Sequence, residues 1–130
     1  MREFLFRGKR TDNGEWVKCS ETYIRDGDGI WLSDENLNVV TVIPETVGQY
    51  TGLTDKNGVK IFEGDIVRYD VNYHDMVISY GVENWGGWLY EDMDDNMQAY
   101  SIYEFCLKDI AVVGNIHDNP ELLKGGEDNG

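Results

Sequence analysis

Residues 65–73, DIVRYDVNY, alternate without a break: Ile66, Arg68, Asp70 and Asn72 fall on one side, Val67, Tyr69, Val71 and Tyr73 on the other. A period of two marks a strand with one buried face, because successive side chains of an extended chain point to opposite sides. The pattern continues outward. DMVISYGV (75–82) and WLYE (88–91) have the same character and are joined through NWGG (84–87), and IAVVGNI (110–116) reads as a last, buried strand. Toward the N-terminus, NLNVVTVI (36–43) runs β-branched and apolar up to Pro44, and FLFRG (4–8), EWVKC (15–19) and ETYIR (21–25) are short mixed strands. DGDG (26–29) separates TYIR from IWL, and DKNG (55–58) separates GLT from VKIF. Both are turn signals, since Gly, Asn and Asp tolerate the backbone angles of tight turns. Closely spaced strands with Gly-rich turns predict a mainly β fold, a small barrel or sandwich, with one or two short helices.

Two segments read otherwise. QAYSIYEFCLKD (98–109) places apolar residues near helical spacing, yet its aromatic and β-branched content equally fits a strand. DNPELLK (118–124) is a helix start: Asn119 caps the first turn, Pro120 suits the first helical position, and Glu121 favours the positive helix end. KGGEDNG (124–130) reads as a flexible tail. The expected organisation is one compact domain over 1–123, with a subdivision near residue 60 as the alternative, and Trp16, Val67, Ile110 and Val112 in the core.

Composition narrows the function classes. The chain has 130 residues, 41% of them hydrophobic and 12% aromatic, enough for a packed core. Eleven Lys and Arg stand against 25 Asp and Glu, a net charge of −14, which argues against direct binding of nucleic acid, whose phosphates require a basic face. No apolar run reaches membrane-spanning length, and MREFLFRGKR lacks the apolar segment of a signal peptide. A cytoplasmic protein is expected. Cys19 and Cys106 are too few for a disulfide scaffold and are expected as free thiols that serve as small buried packing groups.

The charge is uneven. Residues 1–25 carry a net of +2, whereas residues 69–107 hold eight acids and no Lys or Arg. Such a segment either keeps the chain soluble or presents an acidic face to a basic surface, on another protein or on residues 1–25 of a second copy. Trp85 and Trp88 bracket Gly86-Gly87 within it, and Asp92, Asp94 and Asp95 follow, so these five residues form the candidate interaction surface. Aromatics on a sheet also stack nucleobases, but those surfaces need the positive charge this segment lacks.

Tests for chemistry yield no reaction. A calcium loop opening at Ile24 would have isoleucine as its first ligand, and the Asp92–Asn96 cluster lacks the Gly and distal bidentate acid of such loops. His74 and His117 stand at no metal-ligand spacing, and neither GxGxxG, GxxxxGK[ST] nor GxSxG occurs. A non-enzymatic protein without metal or cofactor is expected.

Residues 44–67, PETVGQYTGLTDKNGVKIFEGDIV, resemble the signature of the YopX family of phage and prophage proteins. FRGKRTDNGEW (6–16) followed by Val17 is similar to that family's opening segment, and VVGNIHDNPELL (112–123) to its closing one. The blocks occur in the family's order and span most of the chain, while 68–111 matches no signature. The resemblance implies a phage or prophage origin in a bacterial host and supplies no reaction. Physically, the blocks read as fold determinants: Gly48 and Gly52 can take positive φ in turns, DKNG closes a hairpin, and EGD (63–65) launches the next strand. GD followed by alternating apolar residues is similar to the opening strand of SH3-like barrels, a likeness of fold only. The polar members of the blocks, Gln49, Asp55, Glu63, Asp65 and Asn115, serve either as turn and strand-end locks or as a shared site.

Three functions remain. The first is a small acidic binding protein that acts through protein contacts or homo-oligomerisation. The second is an acidic nucleic-acid mimic that occupies a host protein's DNA- or RNA-binding groove. The third is an enzyme built on the carboxylates of 55–65.

Overall fold

A computed structural model describes residues 5–69, 75–81, 87–92, 99–101 and 107–124. The described residues are mainly β, with three short 3-10 helices and no long helix. By contact the chain divides into two units, Met1–Gly52 and Leu53–Gly130.

The first unit contains β1 (Phe6–Lys9), β2 (Trp16–Ser20), β3 (Tyr23–Asp26), β4 (Gly29–Ser33), β5 (Val39–Val42) and a 3-10 turn at Pro44–Thr46. β6 (Gly48–Thr54) then carries the chain into the second unit. β1 lies between β2 and β6, and β3, β4 and β5 form a separate three-stranded antiparallel sheet. Val17, Ile30, Leu32 and Val42 bury their side chains together, with Phe6, Val40 and Val47 packed against them. Each such side chain contributes roughly 1.5–3 kcal/mol by leaving water. Gly8 lets β1 pass close over this core, because a Cβ there would sit 3.2 Å from the Val42 side chain.

The second unit contains β7 (Lys60–Phe62), β8 (Asp65–Arg68), β9 (Met76–Gly81), β10 (Gly87–Asp92), β11 (Ala99–Ser101) and β12 (Ala111–Asn115). β8 to β11 follow one another as an antiparallel meander, and β12 returns after a 3-10 turn at Leu107–Asp109 to pair with β8. This is the strand order of an SH3-like barrel, as the opening GD strand suggested. Ile61, Val67, Met76, Ile78 and Ile110 are the core, with Leu53, Tyr69 and Val112 against it.

Both turn signals hold. Gly27-Asp28 joins β3 to β4 with Gly27 at φ +61, and DKNG turns the chain with Gly58 at φ +80. Several expectations are corrected. The alternation of 65–73 does not make a one-faced strand: β8 ends at Arg68, and Asp65, Ile66 and Val67 are all buried. Apolar surface therefore lies on both sides of β8, which a period of two does not report. Residues 70–74 lie outside the described residues. NLNVVTVI is a strand only from Val39, since Asn36–Asn38 belong to a turn. Gly52 takes φ +90, but Gly48 does not take a positive φ; it is a buried strand residue beside β1.

Trp16 is half-buried rather than core, because its ring lies beside two cations on β1, and Val112, like all of β12, is half-buried at the core's margin. Val67 and Ile110 are fully buried as expected. Cys19 is a free thiol but is exposed, not buried. It sits in a bulge, where Lys18 and Cys19 together oppose Arg7, and its φ of +60 turns the side chain out of the strand's alternation. Cys106 lies outside the described residues. Of the ambiguous segment 98–109, Ala99–Ser101 is strand and Leu107–Asp109 is 3-10, with 102–106 outside the described residues. The expected terminal helix is a 3-10 turn at Pro120–Lys124, and Asn119 uses its side chain on Asn115 rather than on that turn. The tail 125–130 lies outside the described residues.

Candidate functional site

Three of the five polar residues singled out in the blocks, Asp55, Asp65 and Asn115, bond to backbone. Asp55 opens the DKNG turn: its Oδ1 accepts the N–H of Asn57 at 2.8 Å and of Val59 at 2.9 Å. Its Oδ2 accepts the N–H of Val112 at 2.8 Å. Burial pushes this carboxyl's pKa up, but the N–H groups of Val112, Val59 and Asn57, with the charge of Lys56, outweigh burial and hold it below the usual carboxylate range. Asp65, 2% exposed, closes the EGD turn by accepting the N–H of Phe62 at 2.8 Å. Gly64, at φ +92, donates to Ile78 O and accepts from Ile116 N–H. Asn115 accepts the N–H groups of His117 and Asp118, each at 3.0 Å, and Asn119 Oδ1 accepts the N–H of Asn115. Glu63 is exposed, and Gln49 stands half-buried on β6 opposite Phe6. In the first unit Thr46 does similar work: its Oγ1 accepts the N–H of Lys9 at 2.8 Å and donates to Ile43 O.

A lock that the sequence reading missed repeats the one at Asp55. Asp34 Oδ1 accepts the N–H groups of Asn36 and Asn38, each at 2.9 Å, just as Asp55 takes those of Asn57 and Val59. In both turns the fourth residue lies at positive φ, Leu37 at +67 and Gly58 at +80. The signal was the Asp at the first position; leucine at the fourth concealed it.

Of the candidate interaction surface, Trp88 and Asp92 lie on β10, in register with Tyr80 and Met76 of β9. Trp85, Asp94 and Asp95 lie outside the described residues. Among the described residues, two shallow clefts open elsewhere. One, of about 330 Å³ in the first unit, is lined by Arg10, Glu15, Trp16, Lys18, Asp34 and Glu35. Trp16 there has Arg7 Cζ 4.9 Å and Lys9 Nζ 5.6 Å from its ring centroid, a cation–π arrangement that holds the indole on the sheet. The other, of about 280 Å³ in the second unit, is lined by Lys56, Tyr69, Lys108 and Asp109. Both mix charges of opposite sign, which suits polar contact with a partner. Among the described residues no group of three or more His, Cys, Asp or Glu could hold a metal ion, and no helix is long and apolar enough to cross a membrane.

Comparison with curated proteins returned no match. Among solved structures, the chain is similar to the crystal structure of protein EF1440 from Enterococcus faecalis, at 26% identity and a TM-score of 0.59. That likeness covers 95% of this chain and 99% of the other. The family model described as YopX protein matches residues 5–124, a span that includes all three blocks, and the chain belongs to the YopX family.

Proposed function

We propose that this chain is a phage- or prophage-encoded protein that works in the bacterial cytoplasm through protein contacts or homo-oligomerisation, without catalysis or a cofactor. One observation carries the reading: two of the signature carboxylates, Asp55 and Asp65, are turned inward, while Glu63 is exposed. All three N–H groups that face Asp55 are backbone donors, and Asp65 is buried on the N–H of Phe62. Carboxylates used for acid–base chemistry must present lone pairs to a substrate, and these present them to the fold. The signature therefore specifies a scaffold, which leaves recognition to the surface. The acidic segment 69–107, which carries Trp88 and Asp92 on β10, is the stretch that differs most in charge from the rest.

Affinity capture from the bacterial host tests this, using the wild-type chain and a variant with Asp92, Asp94 and Asp95 changed to Lys. The expected result is a stoichiometric partner held by the wild type, lost from the variant, and released as salt screens charges beyond roughly 8–10 Å. A partner set that ignores both salt and the reversal would overturn the role of the acidic segment. Release of the partner by duplex DNA would establish the mimic instead.

A further inference from the structure

Asn57 and Gly58 stand at the tip of the DKNG turn, both exposed to solvent. An asparagine followed by glycine is chemically labile. The backbone nitrogen of the second residue reaches the asparagine amide carbon, and glycine puts no Cβ in the way.

Among the described residues Asn-Gly occurs at 13–14 and 57–58; the further pair at 129–130 lies outside them. The backbones of the two described pairs are alike. Gly14 and Gly58 lie at φ +74 and +80, and each has open space where a Cβ would stand. Gly14 N–H donates to Arg10 O and Gly58 N–H to Asp55 O, each at 3.0 Å. The side chains differ. Asn13 Oδ1 accepts the N–H of Glu15, two residues on, at 2.9 Å, which fixes its amide against its own turn. The equivalent donor for Asn57 is the N–H of Val59, and Asp55 Oδ1 already takes it at 2.9 Å. The Asn57 amide therefore makes no hydrogen bond among the described residues. The lock that fixes this turn sets its asparagine side chain loose.

We propose that Asn57 deamidates in the folded protein ahead of Asn13, and that the product undoes the Asp55 lock. In the first step Gly58 N–H lets go of Asp55 O and gives its proton to water. The nitrogen attacks Asn57 Cγ, so the N–Cγ bond forms, the Cγ–Nδ2 bond breaks, and Nδ2 takes up a proton and leaves as ammonia. Water then opens the five-membered imide, and neither oxidant nor reductant is needed. Opening at the former backbone carbonyl leaves isoaspartate, whose main chain runs through Cβ and Cγ and gains one atom. The N–H groups of residues 57 and 59 then no longer converge on Asp55 Oδ1, and the turn loses the geometry that sets Oδ2 on Val112 N–H.

Ageing the folded full chain in mildly alkaline buffer tests this, beside a parallel sample unfolded in urea. Trypsin places the Asn-Gly pairs in separate peptides, 11–18, 57–60 and 125–130, and mass spectrometry follows the change from amide to acid in each. In the folded chain Asn57 should convert about fivefold faster than Asn13, the factor that one neutral hydrogen bond is worth. In urea, where neither turn persists, the two rates should converge. Equal rates in the folded chain, or conversion of Asn57 only in urea, overturn the site. Stability after ageing tests the consequence. Chains with isoaspartate at 57, recognised by enzymatic methylation, should unfold at lower denaturant than fresh chains. Aged Asn57→Gln, whose larger ring closes far more slowly, should keep its midpoint. An unchanged midpoint in the isoaspartate chains, or an equal loss in aged Asn57→Gln, overturns the coupling to the Asp55 lock.

Discussion

Asp55 Oδ2 accepts the backbone N–H of Val112 at 2.8 Å, joining two points 57 residues apart in the chain. The bond ties the DKNG turn to β12, and Lys56 N–H repeats the tie to Ile110 O at 2.9 Å. Asp55→Asn keeps the shape but leaves a single carbonyl oxygen for donors on two sides. It should cost about 1.5–3 kcal/mol, the range for hydrogen bonds to a charged group, read from denaturant midpoints.

The same residue sets an acid dependence. Its folded pKa lies below the unfolded value, so its stabilisation is fully present above the ordinary carboxylate pKa of 3.8 and is lost as pH falls through the lower folded value. Wild type should therefore lose more stability than Asp55→Asn on acidification from pH 5 toward pH 2 (roughly the window of a depressed carboxylate). Parallel losses in both proteins would show that other carboxylates carry the acid sensitivity.

Leu37 occupies, at φ +67 and 83% exposed, the turn position that Gly58 fills in the equivalent turn. An L-residue with a side chain is strained there by roughly 1 kcal/mol, and little packing opposes its removal. Leu37→Gly should thus be neutral or stabilise by up to about 1 kcal/mol, whereas Gly58→Ala should destabilise. Thermal melts of the two variants should move in opposite directions or differ by several degrees.

Gly114 lies under Asn119: a Cβ there would fall 2.6 Å from Asn119 Oδ1, the atom that accepts the N–H of Asn115. Gly114→Ala should push Asn119 off its bond and cost about 1–2 kcal/mol. In an Asn119→Ala background the contacts at 2.6 and 2.8 Å are gone and only the Asn119 Cβ, 3.0 Å away, still crowds the site, so the same substitution should cost less. Additive losses in the double variant would place the cost of Gly114→Ala elsewhere.

Cys19 is exposed at the bulge in β2. A thiol reagent should modify it in the folded protein without denaturant. Cys19→Gly should leave stability unchanged or slightly raised, because φ +60 suits glycine. Slow modification that tracks global unfolding would contradict the exposure of this thiol.

What the sequence determined by itself was local. DGDG and DKNG were legible because an Asx side chain or a glycine decides a turn within about five residues. The β class followed from period-two stretches, and family membership from blocks whose polar residues make short-range backbone bonds. The tertiary structure decided the rest. Ile66 and Val67 are both buried because a strand can have apolar neighbours on either face, and alternation in one strand does not report the second layer. Trp16 left the core for the side of Arg7 and Lys9, a pairing set by the β1–β2 register. The bond from Val112 to Asp55 depends on which segments become neighbours in space. Turn chemistry acts between residues close in sequence; burial, long-range bonds and free edges arise only when distant segments meet.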